Sequence, residues 1–422
     1  MIKNLRAQIV SFRMTPWILW LGFLGCLLFV ALLGGIAVFW QGLWITNLTD
    51  LVPWGLWITI DLSSIALSAG AFSLCAAVYL IGLKRYEPIA RTATFVGLIG
   101  YSMAMLALLL DIGRPDRFWH ALVYWNENSL LWEVTMCVML YLTVLVFESM
   151  PIFASFDWLR KRYPKLAEWM SHLHHYAPYL AIAGLCLSML HQSSLGATYG
   201  VLKARPFWYK PEMSVLFMYS ALIGGISLTL FASMLSARLT SKARVNDALI
   251  ERVAYFVGWA LAGYLYFRFW DALAQNYTYE PGRSEGLQLM TKGPMSFNFL
   301  VGEMLLGTVA PLIMLLTPYT RRHPFWRTLA LGLVALGVVL FRWDTNISGQ
   351  LLLISFLPGQ PTVSYTNYFP SWVEIITGSG VIAYGLLAFS LGVRYLKVVD
   401  HRHVAEEQPH AVAVKTSEQV PA

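Results

Sequence analysis

Residues 89–120 read IARTATFVGLIGYSMAMLALLLDIGRPDRFWH. The 19 residues from Thr92 to Leu110 carry no charge, and the chain then turns abruptly polar at Asp111. A bilayer core takes about 20 mostly apolar residues of helix, so this stretch reads as one membrane span with a polar outlet. The whole chain has the same character. Of its 422 residues 57% are hydrophobic and 13% charged, with a mean hydropathy of +0.57. Soluble domains carry about twice that charge. A disordered chain, a secreted disulfide scaffold and an ordinary soluble enzyme are thereby excluded.

The same ruler finds ten spans, near 17–41, 54–83, 89–110, 130–150, 174–197, 213–236, 250–272, 296–317, 325–343 and 371–396. Breaks such as Arg321-Arg322-His323-Pro324 and Pro358-Gly359-Gln360-Pro361 separate them. The first run is too long for a signal-peptide core and no small-residue cleavage site follows it, so it reads as a retained helix. The expected fold is an all-α polytopic membrane protein. Its inner eight helices suit two four-helix bundles, with the first and last helices peripheral. Residues 1–16 form a cytoplasmic N-terminal segment, 17–398 the ten-helix domain and 399–422 a cytoplasmic polar tail.

Orientation follows from lysine and arginine. With the N-terminus inside, 21 of the 30 basic residues fall on the cytoplasmic side. Both termini are therefore expected inside. The net charge of +7 is scattered over short loops, which excludes a nucleic-acid partner. The four cysteines lie in apolar runs without a CxxC, so they read as buried thiols and not as metal or cluster ligands.

Ionisable residues inside spans are costly and mark functional sites by default. Here they gather toward the outer ends. Asp61 lies about two turns into the second span, Asp111 closes the third, Glu133 opens the fourth, and His191 and Gln192 lie near the outer end of the fifth. Glu303 lies about two turns into the eighth. Asp271 reads as a boundary charge or a partner of Arg268, and Arg342 as a local partner of Asp344 or a snorkelling side chain. Glu374 suits a helix start. Histidines do not face one another in mid-membrane, which argues against haem. Two outer segments are dense in polar groups: Asp111 to His120, which includes Arg114, and His191-Gln192-Ser193-Ser194. The latter suits a polar head group whose tail lies in lipid.

These segments resemble the NrfD/PsrC family, the quinone-interacting membrane subunits of respiratory oxidoreductases. The likeness rests on Trp54-Gly55-Leu56-Trp57 with Asp61, Asp111-Ile112-Gly113-Arg114-Pro115, the Glu133 helix, and His191 to Gly196 ahead of Pro206-Phe207-Trp208-Tyr209. Arg342 to Asn346 and Tyr368 to Trp372 continue it, over roughly residues 50–396. It is nearest to the ten-helix branch of menaquinone reductase subunits and hydrogenase anchors.

The resemblance implies a haem-free subunit of the bacterial inner membrane with a menaquinone pocket near the periplasmic face. It also implies a periplasmic iron–sulfur subunit docked above, and a catalytic or cytochrome subunit beyond that. His191 and Asp61 would hydrogen-bond the quinone or supply protons, Asp111, Glu133, Gln192 and Ser193 would complete the lining, and Arg114 and His120 the rim. Proton acids are needed there because quinone reduction consumes two protons. Glu133, Tyr141, Glu148 and Glu303 are candidates for proton paths across the membrane. Without flavin, haem or cluster motifs the chain cannot supply electrons itself. A secondary transporter or a purely structural anchor are the competing readings.

Overall fold

The computed structural model describes residues 15–400 except 356, 361 and 397. The expected N-terminal segment and polar tail lie almost wholly outside the described residues. Among these residues ten helices are long and apolar enough to cross a membrane. They are α1 (Pro16–Gln41), α2 (Leu56–Tyr79), α3 (Glu87–Asp111), α4 (Leu130–Phe153) and α5 (Ala177–Gly200). The second half has α6 (Met213–Leu239), α7 (Asp247–Tyr277), α8 (Phe297–Leu316), α9 (Pro324–Leu351) and α10 (Trp372–Tyr395).

Local signals set the ends. The Thr15 hydroxyl accepts from the Ile18 amide ahead of Pro16, and Asn246 caps α7 by accepting from Leu249. Ser371 and Glu374 form a reciprocal capping box at α10, which satisfies amides that a helix start leaves unpaired. Glu374 is thus a helix cap, as its position suggested.

Helices α2 to α5 pack as one four-helix bundle and α6 to α9 as a second. Helix α1 lies against α10, and α10 against α3, so these two are peripheral to both bundles. Lipid gives helices no hydrophobic reason to associate, so close backbone approach takes over. At the seam between bundles, Gly225 of α6 faces the Gly70 nitrogen of α2 so closely that a Cβ has no room there. Gly307 and Gly337 bring the backbones of α8 and α9 together in the same way. Outward side chains such as Phe29, Trp259 and Leu306 stay exposed, as a lipid-facing surface requires.

Both ends of the described chain share one face. Arg394 stacks over Trp17, and Asp400 bridges to Arg244 in the α6–α7 loop. The opposite face carries the longer connections. These interlock: Arg205 donates to the Gln350 carbonyl (2.9 Å) and the Leu51 carbonyl (2.7 Å), and Asn47 donates to the Phe369 carbonyl (2.8 Å).

One boundary differs from expectation. Helix α9 does not stop at 343 but runs to Leu351, and a two-stranded hairpin follows, β1 (Leu352–Ile354) with β2 (Val363–Tyr365). The polar run Asp344-Thr345-Asn346 is helical with its groups paired: Asn298 of α8 donates to Asp344 Oδ1 (2.6 Å), Trp208 donates to the Thr345 carbonyl (2.6 Å), and Asn346 reaches the other bundle. Asn346 donates to the Trp54 carbonyl (3.0 Å), the Gly55 carbonyl (3.2 Å) and Thr59 Oγ1 (3.1 Å). The segment 273–295, expected as a loop, likewise holds the end of α7 and a short helix, Arg283–Thr291.

Candidate functional site

Under the loop-rich face, α5 turns His191 and Gln192 inward, and both side chains are fully buried. Tyr101 of α3 sits 2.7 Å from His191 Nδ1. With Tyr101 donating, Nδ1 is the acceptor and Nε2 carries the hydrogen. That Nε2 has no partner among the described residues, and neither has the Gln192 amide nitrogen. The Gln192 oxygen is engaged, because Arg342 Nη2 of α9 donates to it at 3.4 Å. An arginine only donates, so the amide nitrogen of Gln192 is the end left facing the site.

Arg342 corrects the sequence reading. It neither pairs with Asp344 nor reaches the interface; it is fully buried at the bundle seam. Its Nη2 also donates to the Phe217 carbonyl (2.9 Å) and Ser220 Oγ (3.2 Å), and its guanidinium lies 3.6 Å over the Phe217 ring. Nε and Nη1 have no partner among the described residues. One residue that the sequence reading did not single out, Tyr199, completes this wall. Tyr199 donates to Asn346 Oδ1 (3.0 Å), and its ring packs edge-on to Trp54 and Trp208.

Asp61 is buried on α2, near Asp111, Tyr101 and Tyr199. One oxygen of Asp111 is buried without a partner among the described residues. Asp111 closes α3 at the loop-rich end, whereas Tyr101, ten residues earlier on α3, and its partner His191, nine residues before the end of α5, lie about 15 Å of helix deeper. Arg114 and His120 lie above them on the connection to α4. Arg114 is exposed and grips Asp116 with two donors at 3.1 Å, and this bond holds the Asp116 carboxyl below its usual range. His120 packs between Trp119 and Tyr124.

Two expected members are not drawn in. Ser193 donates to the Leu190 carbonyl of its own helix (2.9 Å), because one residue beyond Gln192 the helix has turned by about 100°. Ser194, next along, is the buried hydroxyl. Glu133 stays half-buried in the first turn of α4 and makes no hydrogen bond to this group among the described residues.

Glu303 belongs to a different assembly. It lacks a basic neighbour on its own helix, yet α7 supplies one. Arg268 Nε donates to Glu303 Oε1 (3.0 Å), Nη2 to Oε2 (3.2 Å), and Nη1 to Asp271 Oδ2 (2.8 Å). Tyr264 donates to Glu303 at 2.9 Å, and Lys210 pairs with Asp271. Asp271 is therefore no exposed boundary charge; it is buried between two cations. The π-helical turns Phe297–Val309 carry Glu303 to this position.

Deeper in the first bundle a column of polar groups leads away from His191. The Tyr101 and Tyr141 rings meet at 4.3 Å, the Tyr141 hydroxyl lies beside Ser188, and Glu148 lies beside Cys75. A cavity of about 390 Å³, lined by Glu148, Arg91, Thr94 and His174, opens below it at the face that carries both termini.

A polytopic helical membrane protein with hydrogen-bonding groups buried under one face is the class these features define. Within it, the chain belongs to the family described as "Polysulphide reductase, NrfD", which matches residues 44–354. It is similar to the integral membrane subunit of menaquinone reductase from Nitratidesulfovibrio vulgaris Hildenborough, at 32% identity over 91% of this chain and 92% of that one. The integral membrane subunit of an Hdr-like menaquinol oxidoreductase from Archaeoglobus fulgidus is 26% identical over 86% and 89%. A probable Ni/Fe-hydrogenase 2 b-type cytochrome subunit of Escherichia coli K12 is 27% identical over 86% and 89%.

The second-bundle network yields a stability test. Removing one partner of a buried ion pair costs about 3–5 kcal/mol, whereas removing both costs far less. Arg268→Met is expected to lower the unfolding free energy by about that amount in mixed-micelle denaturation, and Arg268→Met/Glu303→Met to recover most of it. Equal losses in the two variants would show that the pair is not the stabilising unit.

Proposed function

We propose that this chain is the quinone-reactive membrane subunit of a respiratory oxidoreductase complex, with menaquinone as its substrate. The observation that carries this reading is the pair of buried donors, His191 Nε2 and Gln192 Nε2, left without a partner among the described residues under the loop-rich face. Two carbonyl oxygens of a quinone head group need such donors, and the family and its menaquinone reductase relative point to the same chemistry. A bound quinone takes up two electrons and two protons.

The residues divide the work. His191 and Gln192 hold the carbonyls and orient the ring. Arg342 fixes the Gln192 amide, so its donor end faces the ring and not the seam. Tyr101 holds the His191 tautomer and returns a proton to Nδ1 when Nε2 gives one up. Asp61 and Asp111 supply the second proton-exchanging group, on the loop-rich side of His191. Closely packed helices around them exclude water, which strengthens each of these bonds.

The loop-rich face is assigned to the periplasm and the termini to the cytoplasm, in a bacterial inner membrane. The basic-residue asymmetry of 21 in 30 supports this assignment. Arg114, Asp116 and His120 then form the rim on which a periplasmic iron–sulfur subunit docks and delivers or receives electrons, with a catalytic or cytochrome subunit beyond it. Protons enter from the cytoplasmic cavity at Glu148 and move by way of Ser188 and Tyr141 toward Tyr101 and His191. Glu133 lies off this line, at the outer end of α4, and Glu303 is engaged by Arg268.

Two measurements test these assignments. In the purified complex, fluorescence-quench titration with a menaquinol analogue is expected to saturate, and His191→Ala to weaken it at least tenfold; an unchanged affinity would remove His191 from the site. In proteoliposomes, Glu148→Gln is expected to cut charge movement per turnover by at least half while quinone affinity stays unchanged. Full charge movement in that variant would exclude Glu148 from the proton path.

A further inference from the structure

Between α4 and α5 the chain runs through two short helices, Asp157–Arg162 and Pro164–His172, and a tight turn, Leu173–Tyr176, leads from them into α5. They lie at the face that carries both described ends, because Ile152 at the end of α4 shares an apolar cluster with Val398 and Val399. On the second helix, 100° of rotation per residue puts Leu166, Trp169 and Met170 on one side and Lys165, Glu168 and His172 on the other. This helix packs on α4, and Ala167 is its buried position. Leu166 and Trp169 nevertheless stay exposed, at 45% and 51%, and so does Trp158 at 60%. Apolar side chains left open beside the end of a membrane span meet the boundary between acyl chains and head groups, where tryptophan is favoured.

The charge of the segment fits the same place. Residues 157–172 hold four basic side chains, Arg160, Lys161, Arg162 and Lys165, against two acids, Asp157 and Glu168. Arg160 donates to the Ala154 carbonyl at 2.9 Å. The ion pairs among the described residues include none of Lys161, Arg162 and Lys165. Cations without an acid partner, on the same short helices as exposed indoles, complement an anionic lipid surface. A water-soluble anion would answer the cations but leave the apolar side uncovered.

We propose that residues 157–172 form a strap in the head-group layer at this face and bind anionic phospholipid. Lys161, Arg162 and Lys165 meet the lipid phosphates, and Trp158, Leu166 and Trp169 meet the acyl boundary. The strap is joined to the cavity of about 390 Å³ beside Glu148: Ser171, Leu173 and His174, at and just past its end, line that cavity. His174 also lies 3.8 Å from Glu87 at the start of α3. Lipid that seats the strap therefore holds one wall of the cavity in place. The inference stands apart from the quinone reading of the His191 site.

Hydrogen–deuterium exchange mass spectrometry tests it on the purified complex, in nanodiscs of phosphatidylcholine with and without phosphatidylglycerol. Peptides covering 157–176 are expected to exchange at least fivefold more slowly with phosphatidylglycerol present. Residues Arg283–Thr291, on the opposite face, are expected to exchange equally in both. Lys161→Gln/Arg162→Gln/Lys165→Gln is expected to abolish the difference, with unchanged exchange along α7 showing that the variant is folded. Equal exchange of 157–176 in the two lipids would overturn the proposal, and so would protection that survives in the triple variant. Equal protection by inorganic phosphate in phosphatidylcholine alone would overturn it in favour of a soluble-anion site.

Discussion

In hydrocarbon a polar group has no water to fall back on, so each one must find its partner inside the protein. That constraint divides this molecule in two. In the second bundle Lys210, Asp271, Arg268 and Glu303 neutralise one another in a closed chain of bonds across the α6 connection, α7 and α8. In the first bundle, and at the seam, the groups are only half satisfied among the described residues: His191 keeps one free nitrogen, Gln192 its amide nitrogen, and Arg342 two of its three nitrogens. The ion network of the second bundle is thus closed on itself, whereas the first bundle and the seam keep buried polar groups without a partner among the described residues.

The seam makes the two bundles interdependent. Gly70 and Gly225 allow α2 and α6 to meet at backbone distance, and this places α9 close enough for Arg342 and Asn346 to reach into the first bundle. Gln192 is therefore oriented by a helix some 150 residues away in sequence.

Much of this was legible in the sequence, because the signals for it are local. Apolar run length located all ten helices to within a few residues, apart from α9, and Asp61 and Asp111 fall in the outer turns of their helices as read, whereas His191 lies near the middle of α5. What stayed hidden depends on tertiary pairing. Glu303 looks unpaired on its own helix, but its partner Arg268 is 35 residues away. Arg342 looks like an interfacial side chain because nothing in its neighbourhood shows the Phe217 carbonyl waiting for it. Tyr101 is one tyrosine among 21, and only packing shows that it binds His191. Ser193 and Ser194 are indistinguishable by composition, and the helical rotation alone decides which is buried.

The proposed quinone head group sits between α2, α3 and α5, beneath the loop-rich face. Photocrosslinking the complex with an azido-menaquinone, followed by mass spectrometry of the labelled peptides, addresses it directly. Labels on the turns that carry Asp61, Tyr101 and His191, suppressed by excess menaquinone, are the expected result. Labels concentrated around Arg268 and Glu303, or spread over the lipid-facing surface and insensitive to competitor, would contradict it.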